Sequence, residues 1–209
     1  MIKLLFAIAA AVIGAMTGSR WIERLYEKKP DILSFPHQTS AQNHQRRRFL
    51  PAVLGTLFAF YLLTTAATPL LAVLQLFYIY FLILFTFTDF EQQVIFDRML
   101  IPFALLGLPA TLLSGAGIVN HLLAALSGGL LFLLLAIITR GGIGGGDIKL
   151  IAALGLWLGV NSLSHVIAMG LIGGGIGALL LMLLKHKKRT DTFAYGPYFT
   201  IAALILLLL

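Results

Sequence analysis

Cysteine is absent from the 209 residues. No disulfide framework and no thiolate metal site can be built from this chain. Charge is the second scarcity. Charged residues make up 11% of the sequence and only eight residues are acidic, whereas a soluble domain carries about 25% charged residues. Apolar residues reach 59%, and the mean hydropathy is +0.97. That balance excludes an ordinary soluble domain. A spanning helix needs about 20 apolar residues, so the length leaves room for about eight short spans and little else. The expected class is all-α, a polytopic membrane protein of about eight transmembrane helices. The net charge of +7 would point to nucleic acid in a soluble protein. Here the loop asymmetry of membrane proteins accounts for it. A lipid bilayer is the expected partner and nucleic acid is not.

The order of apolar runs and breaks predicts eight segments, at 2–17, 49–64, 71–88, 99–114, 118–139, 148–160, 163–184 and 195–209. The start could imitate a signal peptide but lacks a convincing cleavage site, so it is read as a retained first span. Ala66-Ala67-Thr68-Pro69, Gly115-Ala116-Gly117 and Asn161-Ser162 are the expected turns. Pro102 and Pro109 are expected to kink or break segment four. Gly170, Gly173, Gly174, Gly175 and Gly177 predict close helix packing through small residues in segment seven. Fourteen of the fifteen Lys and Arg residues, and all eight acidic ones, fall within 20–48, 89–98, 140–149 and 185–192. Lys3 is the exception. With eight alternating segments these four stretches share one face, which the positive-inside rule places in the cytoplasm. Both termini are then extracytoplasmic, and the acidic clusters face one compartment. Arg46-Arg47-Arg48 and Lys187-Lys188-Arg189 are expected as membrane-surface anchors.

The most informative stretch is Gly141-Gly142-Ile143-Gly144-Gly145-Gly146-Asp147-Ile148-Lys149-Leu150. It sets a carboxylate at the end of a glycine-rich break between two apolar segments. A carboxylate beside a bilayer is costly and marks a candidate functional site. A second cluster, Asp89-Phe90-Glu91 with Asp97 following, closes segment three. Two carboxylates on one face can hydrolyse a peptide without a metal. One, ionised, takes a proton from water, and the other, protonated, donates to the carbonyl oxygen. The glycines supply backbone that a peptide can approach closely. The plainer readings are a helix N-cap for Asp147, with Ile148 opening the helix, and a solvated loop for Asp89, Glu91 and Asp97. A small proton-coupled transporter using Asp89 and Asp147 as relay groups is the alternative from another class.

Gly144-Gly145-Gly146-Asp147-Ile148-Lys149-Leu150 matches the G-x-G-D-x-K-L pattern of prepilin peptidases, the type IV leader peptidases. The stretch from Thr88-Asp89 to Ile101-Pro102 resembles that family's first aspartate motif, an Asp followed by a Pro-Asp pair and an apolar stretch with proline. Tyr195-Gly196-Pro197-Tyr198 is similar to its F-G-P-hydrophobic element, and Gly18-Ser19 with Arg24 to its G-S…R element. The resemblance runs through most of the chain in the same order. It implies a GxGD-type aspartyl endopeptidase in the bacterial cytoplasmic membrane, with its active site facing the cytoplasm. Its substrates would be prepilins or pseudopilins. The catalytic pair would be Asp89 and Asp147. Gly144, Gly145 and Gly146 would admit the substrate backbone, with Asp97 and Glu91 attracting the basic leader. Asp97 is also the reserve catalytic carboxylate, about 80° round from Asp89 on a continuous helix.

Two departures stand out. Phe96 occupies the place of the usual proline. The first loop lacks the paired C-x-x-C elements that hold a zinc in many bacterial members and accompany N-methylation of the mature pilin. His37 and His44 alone make a poor zinc site, so no metal is assigned. No cofactor is expected, and S-adenosylmethionine enters only if methyl transfer is retained. Residues 1–64 correspond to a reduced relative of the methylation-associated region, and 65–209 to a six-span peptidase core. A presenilin-like intramembrane protease resembles the chain at G-x-G-D as well, although its partner motif is usually Tyr-Asp and Thr88 precedes Asp89 here.

Overall fold

The computed structural model describes residues 1–35, 47–184 and 195–209. His37, His44, Arg46 and the basic run from Lys185 to Arg189 lie outside the described residues. Among the described residues there are seven α-helices, α1 (Ile2–Lys28), α2 (Leu50–Thr64), α3 (Pro69–Gln92), α4 (Asp97–Leu113), α5 (Ile118–Ile138), α6 (Gly145–Leu183) and α7 (Gly196–Leu208), and a 3-10 turn at Pro30–Ile32. Four stretches, Ile2–Lys28, Pro69–Gln92, Ile118–Ile138 and Gly145–Leu180, are long and apolar enough to cross a membrane, and α2 and α7 are shorter apolar helices. The class is that of a polytopic, all-helical membrane protein. The chain divides into two compact units, Met1–Phe96 and Asp97–Leu209.

In the first unit, α1 buries Ala7, Ala11, Ala15, Gly18, Ile22 and Leu25. Their three- and four-residue spacing makes one stripe. Lipid supplies no hydrophobic force between helices, so small residues that allow close approach do the packing. A Cβ at Gly18 would stand 2.8 Å from Leu84 of α3, and one at Gly55 of α2 would meet Ala11 at 3.6 Å. α1 continues to Lys28, well past the expected end at residue 17. Arg, Glu and Lys are good helix formers, and Ile22, Leu25 and Tyr26 keep the stripe buried, so nothing local stops the helix. Much of the charge expected in loops therefore sits on helix ends. Lys3, the odd cation out, donates from Nζ to the Leu62 carbonyl at 2.9 Å. It caps the C-terminal end of α2, where a cation is favourable. The 65–68 turn then delivers Pro69 to the first turn of α3, where a missing N–H costs nothing.

In the second unit, α4 runs unbroken through Pro102 and Pro109. Packing and polar contacts from a neighbouring helix accompany it. The Trp157 indole N–H donates to the Phe103 carbonyl at 2.8 Å, and the Thr111 hydroxyl donates to the Leu156 carbonyl at 2.9 Å. The Phe103 and Trp157 rings stack 5.5 Å apart.

α6 is two helices joined at Gly159, whose φ of 72° and ψ of 175° are not helical. The break falls two residues before the expected Asn161-Ser162 turn, because only glycine tolerates this backbone region. The site is filled as well, since a Cβ there would lie 2.6 Å from Asn120 Nδ2. Asn120 Oδ1 in turn accepts the Val160 N–H at 3.4 Å. Ile151 and Leu163 would be about 18 Å apart in a continuous helix. Both reach one position of α5, within 3.1 and 2.8 Å of a Cβ at Gly128. The chain thus bends sharply at Gly159 and brings both arms onto α5. Counting those arms separately gives eight helical segments, in the expected order. The first arm approaches α5 most closely at Gly155, where a Cβ would sit 2.5 Å from the Ala125 backbone nitrogen. Of the five glycines expected to pack, Gly170 faces Phe199, Gly174 faces Tyr195, and Gly173 and Gly177 face Tyr198. Gly175 meets nothing within 4 Å among the described residues. The outer face of α5 exposes Leu126, Leu130, Ile137 and Ile138, as a lipid-facing helix does.

Candidate active site

Asp89 lies in the last turn of α3 and is 5% exposed. Its carbonyl accepts the Gln93 N–H at 2.9 Å. Gln93 closes the helix in the left-handed region, with φ 54°. Asp89 and Asp97 are therefore not on one continuous helix, and the expected angular relation between them does not hold. The intervening turn is anchored by Phe96, whose ring packs 5.8 Å from that of Tyr26.

Glu91, expected to meet the substrate, is enclosed within its own unit. Arg47 Nε donates to Oε1 at 3.0 Å and to Oε2 at 3.2 Å, and Nη2 donates to Oε2 at 3.0 Å. The Tyr26 hydroxyl adds a bond to Oε2 at 2.9 Å. The side chains of Arg47 and Glu91 are 4% and 0% exposed. A charge so deeply buried persists only when paired and hydrogen-bonded. Arg47 also reaches the Ser19 carbonyl and Glu23 Oε1, each at 3.4 Å, and lies over the Tyr26 ring at 5.4 Å. Sequence reasoning placed Arg47 at the membrane surface and passed over Tyr26. The available signal was Tyr26's place on the buried stripe of α1. Arg48, by contrast, stays at the surface over Phe49, at 4.8 Å.

Asp147 lies in the first turn of α6, two residues inside a helix that opens at Gly145 with Gly144 as N-cap. The helix thus starts earlier than the expected Ile148, and Asp147 is not itself the N-cap. Its carboxylate hydrogen-bonds back to the Gly144 backbone, while its N–H donates to the Gly144 carbonyl at 3.0 Å. This is the reciprocal half of a capping box. The carboxylate is at once a helix-end partner and a group at the border of an apolar helix. A Cβ at Gly145 would meet nothing within 4 Å among the described residues, and one at Gly144 would stand 3.5 Å from Asp147 Oδ2. The backbone beside Asp147 is accessible.

Asp97 opens α4 and holds Lys149, whose Nζ donates to Oδ1 and Oδ2 at 2.8 and 2.9 Å. Both side chains are 54% exposed. The first motif's second acid is thereby joined to the lysine of the G-x-G-D-x-K-L motif. Asp89 belongs to the first unit and Asp147 to the second. Among the described residues no group of three His, Asp or Glu side chains is placed to hold a metal ion.

The sequence model of the type IV leader peptidase family matches residues 76–209. The chain belongs to that family. The matched stretch holds both aspartate motifs and the whole second unit, and leaves α1 and α2 outside it. A Neisseria gonorrhoeae protein called prepilin leader peptidase/N-methyltransferase is 36% identical over 132 residues, which is 60% of this chain and 45% of that protein. A relative of the same name from Aeromonas salmonicida is 33% identical over 133 residues, 61% of this chain and 46% of that one. The Escherichia coli K12 relative, likewise named, is 27% identical over 144 residues, 66% of this chain and 64% of its own length. The match spans about half the length of the first two relatives. No solved structure matches the chain.

Proposed function

We propose that this protein is a membrane aspartyl endopeptidase that cuts the leader from type IV prepilins or pseudopilins at the cytoplasmic face of the bacterial cytoplasmic membrane. Family membership across residues 76–209 carries this reading, because that stretch contains both Asp89 and Asp147. The names of the relatives support the substrate class. Residues 65–209 would form the peptidase core and 1–64 the N-terminal region.

In this reading Asp89 and Asp147 would act as a pair that shares one proton, since paired carboxylates resist double ionisation. The ionised member removes a proton from water, and the resulting hydroxide adds to the scissile carbonyl carbon. The protonated member donates to the carbonyl oxygen. The gem-diol intermediate then breaks its C–N bond: one carboxyl gives its proton to the departing amine while the other carboxylate takes a hydroxyl proton, leaving a carboxylic acid, a free amine and a pair that again holds one proton. The titration belongs to the pair and not to either residue. The exposed backbone at Gly144 and Gly145, with the half-buried Gly146 beside it, would admit the extended substrate. Of Asp89, Glu91 and Asp97, Asp97 is the one left exposed to a basic leader, which would compete for it with Lys149. The cleavage step uses no metal and no cofactor, and S-adenosylmethionine would serve only a retained N-methylation.

Co-expression with a candidate prepilin, with leader removal read by mass spectrometry, tests the reading. Cleavage that Asp147→Asn abolishes supports it, and full cleavage by Asp147→Asn removes it. Orientation is tested separately. Reporter fusions at Ala66 and Ala116 should report the extracytoplasmic side and a fusion at Gly142 the cytoplasm. Ala116 and Gly142 on the same side would overturn the alternation.

A further inference from the structure

The final turn of a helix is where fraying is expected, yet the turn of α3 that carries Asp89 is held at two successive residues. The Glu91 carboxylate is gripped by the Arg47 guanidinium and the Tyr26 hydroxyl. Both ends of the Gln92 amide pair with one backbone position: Phe35 N–H donates to Oε1 at 2.9 Å, and Nε2 donates to the Phe35 carbonyl at 3.2 Å. Ser34 N–H adds a bond to the Gln92 carbonyl at 3.3 Å. Gln92 is fully buried. Arg47 is itself tied to α1 through the Ser19 carbonyl and Glu23. Tyr26, Ser34, Phe35 and Arg47 all precede the family match, which begins at residue 76.

We infer that Arg47 is a positioning residue for Asp89, acting through Glu91, and that the N-terminal region thereby sets the geometry of the catalytic end of α3. The inference rests on the aspartyl-peptidase reading above. An Arg fork that meets both oxygens of a carboxylate fixes direction as well as distance. Two residues from Asp89, that restraint holds the turn from which the Asp89 side chain projects. A buried pair could instead serve folding alone, so the experiment must separate the two roles.

Purified full-length protein should be assayed for prepilin leader removal with kcat and KM resolved. Arg47→Lys keeps the charge and loses the planar fork. Arg47→Met/Glu91→Leu removes both charges and leaves no unpaired buried ion, with the Tyr26 hydroxyl losing its acceptor, and should melt a few degrees below the parent. Both are expected to lose between about 10- and 100-fold in kcat, the scale of a small misplacement of reacting groups, with KM within about twofold. A folded sample of either variant with the parent kcat overturns the inference. If the double variant does not fold, Arg47→Lys, assayed below its melting temperature, decides alone. Asp147→Asn runs in parallel. Full cleavage there sinks the peptidase reading itself, whereas loss there beside parent kcat in the Arg47 variants sinks only the positioning role.

Discussion

Asp89 sits in a closing helix turn braced by a buried Arg47–Glu91 pair, while Asp147 sits in an opening turn bordered by glycines and an exposed Asp97–Lys149 pair. The braced turn is held by residues far away in the chain: Tyr26 in α1, Phe35 and Arg47. The open turn is organised locally, through the Gly144 N-cap and the return bond from Asp147. One end is therefore a rigid mount and the other leaves room beside its carboxylate. The same contrast applies to the ion pairs. Removing one member of a buried pair strands a charge in low dielectric, whereas an exposed pair is already solvated and contributes little.

The largest effect should come from the aspartates. Asp89→Asn and Asp147→Asn should each lower cleavage on the order of 10⁴-fold while leaving the protein inserted, and the double variant should be no worse than either single. Additive losses in a kinetic comparison of the three would show that the two ends do not act as one unit. Next, Arg47→Met alone should destabilise the first unit by about 3–5 kcal/mol. The reading is thermal melting in detergent, and a melting temperature equal to the parent's would erase the distinction between buried and exposed pairs. A smaller effect is expected from the glycines of the second unit. Gly155→Ala drives a Cβ to 2.5 Å from Ala125 backbone, and overpacking of this kind costs about 1–3 kcal/mol. Gly145→Ala enters open space and should change stability by no more than about 0.5 kcal/mol. If Gly145 admits substrate, its variant should still raise KM at an unchanged melting temperature. Equal destabilisation by the two alanines would contradict the open backbone beside Asp147. The smallest effect belongs to Asp97→Asn. It should cost less than about 1 kcal/mol and leave measurable cleavage, and complete loss of cleavage would move Asp97 from the rim of the site to its centre.

Much of this was legible in the chain itself. Apolar runs long enough for a bilayer, charge confined to their ends, and two aspartate motifs in order are local properties. They give the helical class, the segment order and the candidate residues. The break at Gly159 was misplaced onto Asn161-Ser162 because Asn and Ser are turn formers by propensity. What selects Gly159 is Asn120, far away in α5, which fills the site and accepts the Val160 N–H. Pro102 and Pro109 read as breakers because proline removes a backbone bond wherever it stands. The helix nevertheless continues through both, packed against α6 through Trp157 and the Leu156 carbonyl.

By itself, then, the sequence determined where helices form and which carboxylates stand at their ends, since both follow from neighbours in the chain and from the cost of charge in a bilayer. Only the tertiary structure decided what each charge does. Lys3 caps α2, Glu91 is sealed by Arg47 and Tyr26, and Asp97 holds Lys149. The physical reason is that pairing between distant side chains depends on which helix faces approach, and close packing sets that approach through small residues such as Gly18 and Gly155.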